Sequence, residues 1–215
     1  MKNKKIIFFA VDCQKDFIEP TGALYVKGAE NIKPNLKKLT EFAKENNIMV
    51  VNTCDSHLEF DEELSNTPDF KTTFPPHCMV GSEGRVFIDE TRPEAYSFSL
   101  IFNIECYEPL IDLNKKDVVI YKDKFDVFTG NPYTNKFLDL INPDIVVVYG
   151  VAGDYCVDYA VKGLINKGYE VFIVIDAIKA IKENPIKEWE KLGVQMGNIE
   201  EILQFIKGSE DENKI

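Results

Sequence analysis

A chain of 215 residues with 45% hydrophobic residues is long enough to bury a full core and short enough to form one globular unit, residues 1–215. A formal charge of -11 at pH 7 and a pI near 4.8 repel phosphate backbones and anionic lipid, so neither nucleic acid nor a membrane surface is an expected partner. No segment approaches the ~18 consecutive apolar residues that span a bilayer.

In chain order, Met1 to Lys5 is briefly like the charged start of a secretion signal. The apolar run Ile6 to Val11 that follows is too short for one and closes on Asp12 without a small-residue cleavage site. That continuous run predicts a central strand buried on both faces. Asn31 to Asn47 sets Ile32, Leu36, Leu39, Phe42 and Ala43 at helical spacing and stops at Asn-Asn. Ile48 to Val51 reads as the second strand. Residues 55–107 then show little regular periodicity, with five of the ten prolines in or beside them. So long an excursion is functional or disordered, and its aromatic content argues for the former. Asp117 to Tyr121 is the third strand, Asn135 to Ile141 a short helix, and Ile145 to Val148 the fourth strand, which feeds a helix beginning at Cys156. Tyr169 to Ile175 is the fifth strand. Helices at Ile186 to Leu192 and Ile199 to Ile206 flank a short strand at Val194 to Met196, and residues 208–215 form a polar tail expected to fray. Strands alternating with helices predict an α/β fold: a doubly wound, mainly parallel sheet covered on both faces in three layers.

In such sheets ligands bind beyond the carboxyl ends of the strands. Asp12, Asp55, Lys122 and Cys156 each stand at such an end and are expected to converge. Asp176 also ends a strand and is read as an ordinary terminal residue. Cys156, where turn becomes helix, lies near free N–H groups that favour a thiolate. A thiol near ~8.5 is mostly protonated at neutral pH, so Asp12 is the candidate proton acceptor, with Lys122 as counter-charge. Cys13 and Cys54 adjoin strand-end carboxylates, Cys78 adjoins His77, and Cys106 has no polar company. With no regular spacing among these five thiols, neither a disulfide framework nor a paired-Cys zinc site is indicated, and a reducing cytoplasm is the expected compartment.

Both histidines fall inside the excursion, as Asp55-Ser-His57 and Pro75-Pro-His77. Two imidazoles and a carboxylate suit zinc, iron or manganese and leave positions open for water or substrate. Glu59, Asp61, Glu62 and Glu63 offer a further oxygen ligand.

Together, Val11-Asp-Cys-Gln-Lys-Asp-Phe17, Thr53-Cys-Asp-Ser-His57, Phe74-Pro-Pro-His-Cys78, Tyr121-Lys122 and Gly150-Val-Ala-Gly-Asp-Tyr-Cys156 resemble the nicotinamidases within the isochorismatase-like cysteine hydrolases, over about Ile6 to Phe205. The resemblance implies Asp12, Lys122 and Cys156 as catalytic residues, and Asp55, His57 and His77 as ligands of one divalent metal, zinc foremost. It also implies a cis Val151 to Ala152 peptide, an oxyanion hole from the N–H groups of Ala152 and Cys156, and a substrate ring between Phe17 and Phe74. Many members have a third His six residues after the first; here that position is Glu63, the candidate further ligand, with Glu62 behind it. The implied reaction is hydrolysis of nicotinamide, and of analogues such as pyrazinamide, to the acid and ammonia through a Cys156 thioester. The ring nitrogen would rest on the metal. A relative acting on a carbamoyl or ureido compound is the competing enzyme reading, and a metal-braced binding protein the non-enzymatic one. The oligomeric state is left open.

Overall fold

The computed structural model describes residues 4–94, 98–102 and 116–211. Among these, seven strands form one sheet: β1 (Ile6–Val11), β2 (Met49–Asp55), β3 (Phe98–Ile101), β4 (Asp117–Lys122), β5 (Ile145–Val151), β6 (Glu170–Lys179) and β7 (Gln195–Gly197). Their order is β3-β4-β2-β1-β5-β6-β7, and every pairing is parallel. Period-two alternation sends Phe8 and Ala10 of β1 to one face and Ile7, Phe9 and Val11 to the other. The first face is covered by α2 (Lys33–Glu45) through Leu36, Leu39, Phe42 and Ala43, and by α7 (Ile199–Asp211) through Ile199, Ile202, Leu203 and Ile206. The second lies under α4 (Thr134–Ile141), α5 (Cys156–Asn166) and α6 (Ile186–Lys191), which contribute Phe137, Val161, Leu164 and Trp189. Each such aliphatic or aromatic side chain contributes about 1.5–3 kcal/mol by leaving water, so the sheet is held rigid from both sides.

Several strands run longer than their apolar runs, because the ladder continues through polar residues that pair at the site: Asp55 of β2 stands opposite Lys122 of β4. Asp176 does not end its strand. A register shift lets β6 bulge between Ile173 and Ile178 while β5 advances only from Val148 to Gly150. The bulge carries Asp176 away from the ladder, and its Oδ1 accepts the N–H of Ile199 at 2.9 Å, capping α7. Within the excursion, the four-residue β3 adds an edge to β4, too short a run to show periodicity. The short helices α1 (Lys15–Ile18) and α3 (Val127–Gly130), and a 3₁₀ turn at Ala29–Ile32, were also not legible. α7 extends to Asp211, so residues 208–211 are helical rather than frayed; residues 212–215, and Cys106, lie outside the described residues.

Gly150 joins the fold to the site. It has φ +117°, and a Cβ there would overlap the carbonyl of Val11, the residue before Asp12. Gly150→Ala should therefore cost about 3 kcal/mol and lower the thermal midpoint by roughly 6–12 °C. A wild-type midpoint by circular dichroism would show that this close approach does not hold β1 against β5.

Candidate active site

Four adjacent strands, β4, β2, β1 and β5, end in line and bring Lys122, Asp55, Asp12 and Cys156 together. Lys122 is buried, with Nζ 2.7 Å from Asp55 Oδ1, 2.9 Å from Asp12 Oδ2 and 3.8 Å from Cys156 Sγ. Asp12 adopts a positive φ of 45° just past β1, a conformation that costs free energy outside glycine and that concentrates at functional sites. Thr53 fixes it from β2: Oγ1 donates to Asp12 Oδ1 at 2.5 Å and accepts the Asp12 N–H at 3.1 Å. One oxygen each of Asp12 and Asp55 lies within 4.8 Å of the Cys156 sulfur. Cys156 opens α5 directly after the turn, in which the Val151–Ala152 peptide is cis.

The charges follow from burial and partners. Burial pulls the Lys122 pKa down, but Asp12 and Asp55 outweigh it and hold the ammonium well above its ordinary value. Burial pushes Asp55 up, yet Lys122 and the two imidazoles leave it well below the usual carboxylate range. Burial also raises Asp12, and Lys122 and Thr53 only partly reverse it, so Asp12 titrates above 3.8 and is the better proton acceptor of the two. For Cys156, burial is the largest effect and raises the pKa. Lys122 lowers it, but the two carboxylates add to the rise. Burial and the two carboxylates thus oppose the thiolate that the helix start favours.

Beside it, Asp55, His57 and His77 bring one donor atom each within 4.8 Å of one another, all buried. Both Nε2 atoms face Asp55 Oδ2, at 3.5 Å for His57 and 3.4 Å for His77. The outer nitrogens are engaged: His57 Nδ1 lies 3.2 Å from Asp61 Oδ2, and His77 Nδ1 lies 2.7 Å from the Pro75 carbonyl. Imidazoles that donate outward turn lone pairs inward, and His57 Nε2 is buried without a hydrogen-bond partner. Two lone pairs and a carboxylate pointing at one another need a cation between them, and outer-nitrogen anchoring of this kind orients metal ligands. The residues fit a divalent ion.

Glu63 is also buried, but both its oxygens accept the Phe125 N–H, at 2.9 and 3.0 Å, and it is not part of that three-residue cluster. Burial pushes its pKa up to about 7, Lys122 notwithstanding. Glu62 points away and pairs with Lys124 at 3.5 Å with its side chain 87% exposed, which removes it from the site. Two residues of the opening motif brace the excursion against β1. Gln14 exchanges hydrogen bonds of 2.8 Å with the Asp55 backbone in both directions, and Asp16 accepts the Cys78 N–H at 2.6 Å, next to His77.

Beside Cys156 lies a cavity of about 30 Å³, walled by Phe17, Phe74, Phe125, Tyr155 and Ile181 among others, with Asp55, Glu63 and His77 on its polar side. That is room for a water, not for an aromatic ring. No Lys or Arg is among the described residues lining it. A larger cavity, about 560 Å³, lies away from Cys156 between α2 and residues 89–94, and among the described residues no thiol or imidazole lines it. Sequence reasoning found Asp12, Lys122, Cys156, Asp55, His57, His77, Phe17 and Phe74, all of which meet here. It did not single out Thr53, Gln14, Asp16, Tyr155 or Ile181. The first three were visible as polar residues within quoted motifs; the others are ordinary apolar or aromatic positions without a spacing signal.

A thiol, a carboxylate and an ammonium gathered at the carboxyl edge of a parallel sheet, beside a metal-ready cluster, define the class as an α/β hydrolase. The chain belongs to the isochorismatase family, whose domain model matches residues 7–101 and 104–197. It is 26% identical over 175 residues to the nicotinamidase/pyrazinamidase of Mycobacterium tuberculosis, covering 77% of this chain and 82% of that one. It is 24% identical over 198 residues to a probable inactive nicotinamidase of Arabidopsis thaliana, covering 89% and 91%. Among solved structures it superposes on the nicotinamidase of Bacillus subtilis with a TM-score of 0.71 at 24% identity, covering 90% and 99%. The Pyrococcus horikoshii pyrazinamidase in complex with zinc gives 0.69 at 25%, covering 90% and 99%. N-carbamoylsarcosine amidase from Thermoplasma acidophilum gives 0.70 at 24%, covering 91% and 96%.

The cluster predicts a thermal signature. Zinc at about 100 times its Kd should stabilise metal-free protein by about 2.7 kcal/mol, a rise of roughly 5–11 °C in midpoint. His57→Ala should abolish that rise; an equal rise in the variant would mean that the ion binds elsewhere.

Proposed function

We propose that this hydrolase is a metal-dependent nicotinamidase, which hydrolyses nicotinamide and close analogues such as pyrazinamide to the acid and ammonia. The observation that carries the reading is the cavity beside Cys156: aromatic walls, two carboxylates and no cationic side chain. A flat, neutral aromatic amide matches the character of that lining, and the cavity must widen beyond its about 30 Å³ to admit the ring. The ureido acid handled by the N-carbamoylsarcosine amidase neighbour would bring a carboxylate against Asp55 and Glu63. The name of the Arabidopsis relative raises a non-catalytic alternative, but in this chain Asp12, Lys122 and Cys156 are all present and in contact.

In the reading we favour, the carboxamide lies over Sγ with its ring between Phe17 and Phe74. Sγ attacks the carbonyl carbon as the thiol proton passes to Asp12, so no free thiolate is needed beforehand. The N–H groups of Ala152 and Cys156 receive the developing oxyanion, a contribution of the kind whose loss typically costs ~10²–10³ in rate. Asp12 returns the proton to the leaving nitrogen and ammonia departs. Water then attacks the thioester, its proton passes through Asp12 to sulfur, and the acid leaves with the thiol restored. Lys122 stays charged throughout and keeps Asp12 and Asp55 from repelling each other. Asp55, His57 and His77, with Glu63 as a further ligand, would hold one divalent ion, zinc foremost with iron or manganese as alternatives, which when bound supplies Lewis-acid affinity for a ring nitrogen. All these residues come from a single domain of one chain, acting in the cytoplasm on free nicotinamide released by pyridine-nucleotide turnover.

Cys156→Ala should abolish ammonia release from nicotinamide, and Asp12→Asn should lower kcat by about 10²–10⁴. Robust turnover of a ureido acid with none of nicotinamide would overturn the substrate assignment, and near-wild-type activity in either variant would overturn the nucleophile or the base. The pH profile has a defined sign. Asp12 must be ionised to accept the proton, and its pKa is raised above 3.8 by burial while Thr53 holds it down. The acid limb of kcat/KM should therefore lie above pH 3.8 and move further up in Thr53→Val; a limb unmoved or moved down would exclude Asp12 as the titrating base.

A further inference from the structure

The nucleophile turn is tied to a segment that the reaction as described does not use. After the bulge in β6 the ladder resumes with Gly150 opposite Ile178 and Val151 opposite Lys179, and Gly153 N–H continues it to the Lys179 carbonyl at 2.8 Å. Asp154, two residues before the nucleophile, then spends both carboxylate oxygens on that segment: Oδ1 accepts the Ile181 N–H and Oδ2 the Lys182 N–H, each at 2.8 Å. The two chains run so close that a Cβ on Gly153 would overlap the Asn184 side chain. An anion here opposes ionisation of the nearby thiol, so its presence calls for a structural task, and two charge-assisted bonds to consecutive N–H groups supply one.

What the clasp delivers is Ile181. Its side chain lines the cavity beside Cys156, and among the described lining residues it alone is exposed, at 42%. The deeper walls are fixed, with Phe17 and Val26 in the core and Glu63 and Phe125 hydrogen-bonded to each other. Outside, an open groove is lined by Asp154, Tyr155, Lys182 and Glu183. Tyr155 borders both spaces and Lys182 follows Ile181, so Ile181 stands between groove and cavity.

We propose that Ile181 is the specificity-determining gate of this site and that Asp154 is the positioning residue that sets the gate's distance from Sγ. The inference rests on the amide-hydrolase reading and deepens it: the substrate class is the monocyclic aromatic carboxamide, and fused bicyclic amides are turned away at Ile181. Because the clasp joins gate and nucleophile turn through the backbone, displacing one widens the space above the other.

The test compares wild type, Ile181→Ala and Asp154→Asn in two readouts. The first is the ratio of kcat/KM for quinoline-3-carboxamide to that for nicotinamide. The second is the ratio of Cys156 alkylation rates by 2-iodo-N-phenylacetamide and by iodoacetamide, followed by mass spectrometry of the Cys156 peptide. Ile181→Ala should raise both ratios by about tenfold or more. Asp154→Asn, which keeps the shape but loses one acceptor, should raise them in the same direction by a smaller factor, while Ile181→Leu restores the wild-type ratios. Unchanged ratios in Ile181→Ala would overturn the gate, and unchanged ratios in Asp154→Asn alone would overturn the positioning role. If wild type released ammonia from no carboxamide, the amide-hydrolase reading would fall while the alkylation ratios would still decide the gate.

Discussion

The site depends on one buried ammonium. Removing an ion from water costs several kcal/mol even after relaxation, so Lys122 is tolerable in the interior only because Asp12 and Asp55 lie within 2.9 Å on either side. The dependence is mutual: without Lys122, two carboxylates would face each other across a dry space, and one would take up a proton. The ion therefore sets the charge of both halves of the site. Its Asp12 arm sits beside the thiol, and its Asp55 arm keeps a carboxylate ionised beside the two imidazoles. Three charged groups leave one negative charge in excess, which a divalent ion at the imidazoles would turn into one positive, a change that favours an oxyanion forming above Sγ.

That arrangement requires four strand ends to lie side by side, and the sheet order supplies this without any long reach. Lys122 and Asp55 are partners across one rung of the β2–β4 ladder, and the β1–β5 ladder ends on Val11 and Gly150. Each reacting group is the next residue after, or the last residue of, a strand whose apolar part is locked between helices, except Cys156, which enters through the Gly150 turn. Rigidity in the core becomes tenths of an ångström at the site, where proton transfer is sensitive to distance.

This division explains what could be read in advance. Continuous apolar runs announced the central strands, and a polar residue ending such a run is visible as a break, so Asp12, Lys122 and the Asp-x-His pair stood out. The metal cluster was legible because both histidines of the chain fall within one segment. The balance acting on the Cys156 thiol was not, because the helix start that favours a thiolate is local, whereas the burial and the two carboxylates that oppose it come from distant strands. The gate was illegible for a similar reason. Ile181 has no special neighbours in sequence, and Asp154 looks like part of a turn until the bulge in β6 brings residues 179–184 over it.

Chemistry and recognition thus occupy different kinds of structure. Asp12 and Lys122 sit at ladder ends and Cys156 follows the turn after one, where a substitution is felt by the core. The metal residues ride on an excursion braced by Gln14 and Asp16, and the ring-facing residues Phe125, Tyr155 and Ile181 come from three separate connections. Phe125 and Tyr155 pack against the core, whereas Ile181 is exposed and is the one free to change while the Lys122 triad keeps its geometry. A site built this way separates what lines the cavity from the charged residues gathered around Lys122. In this chain the described lining is aromatic and acidic, with no Lys or Arg in it to hold an anionic group.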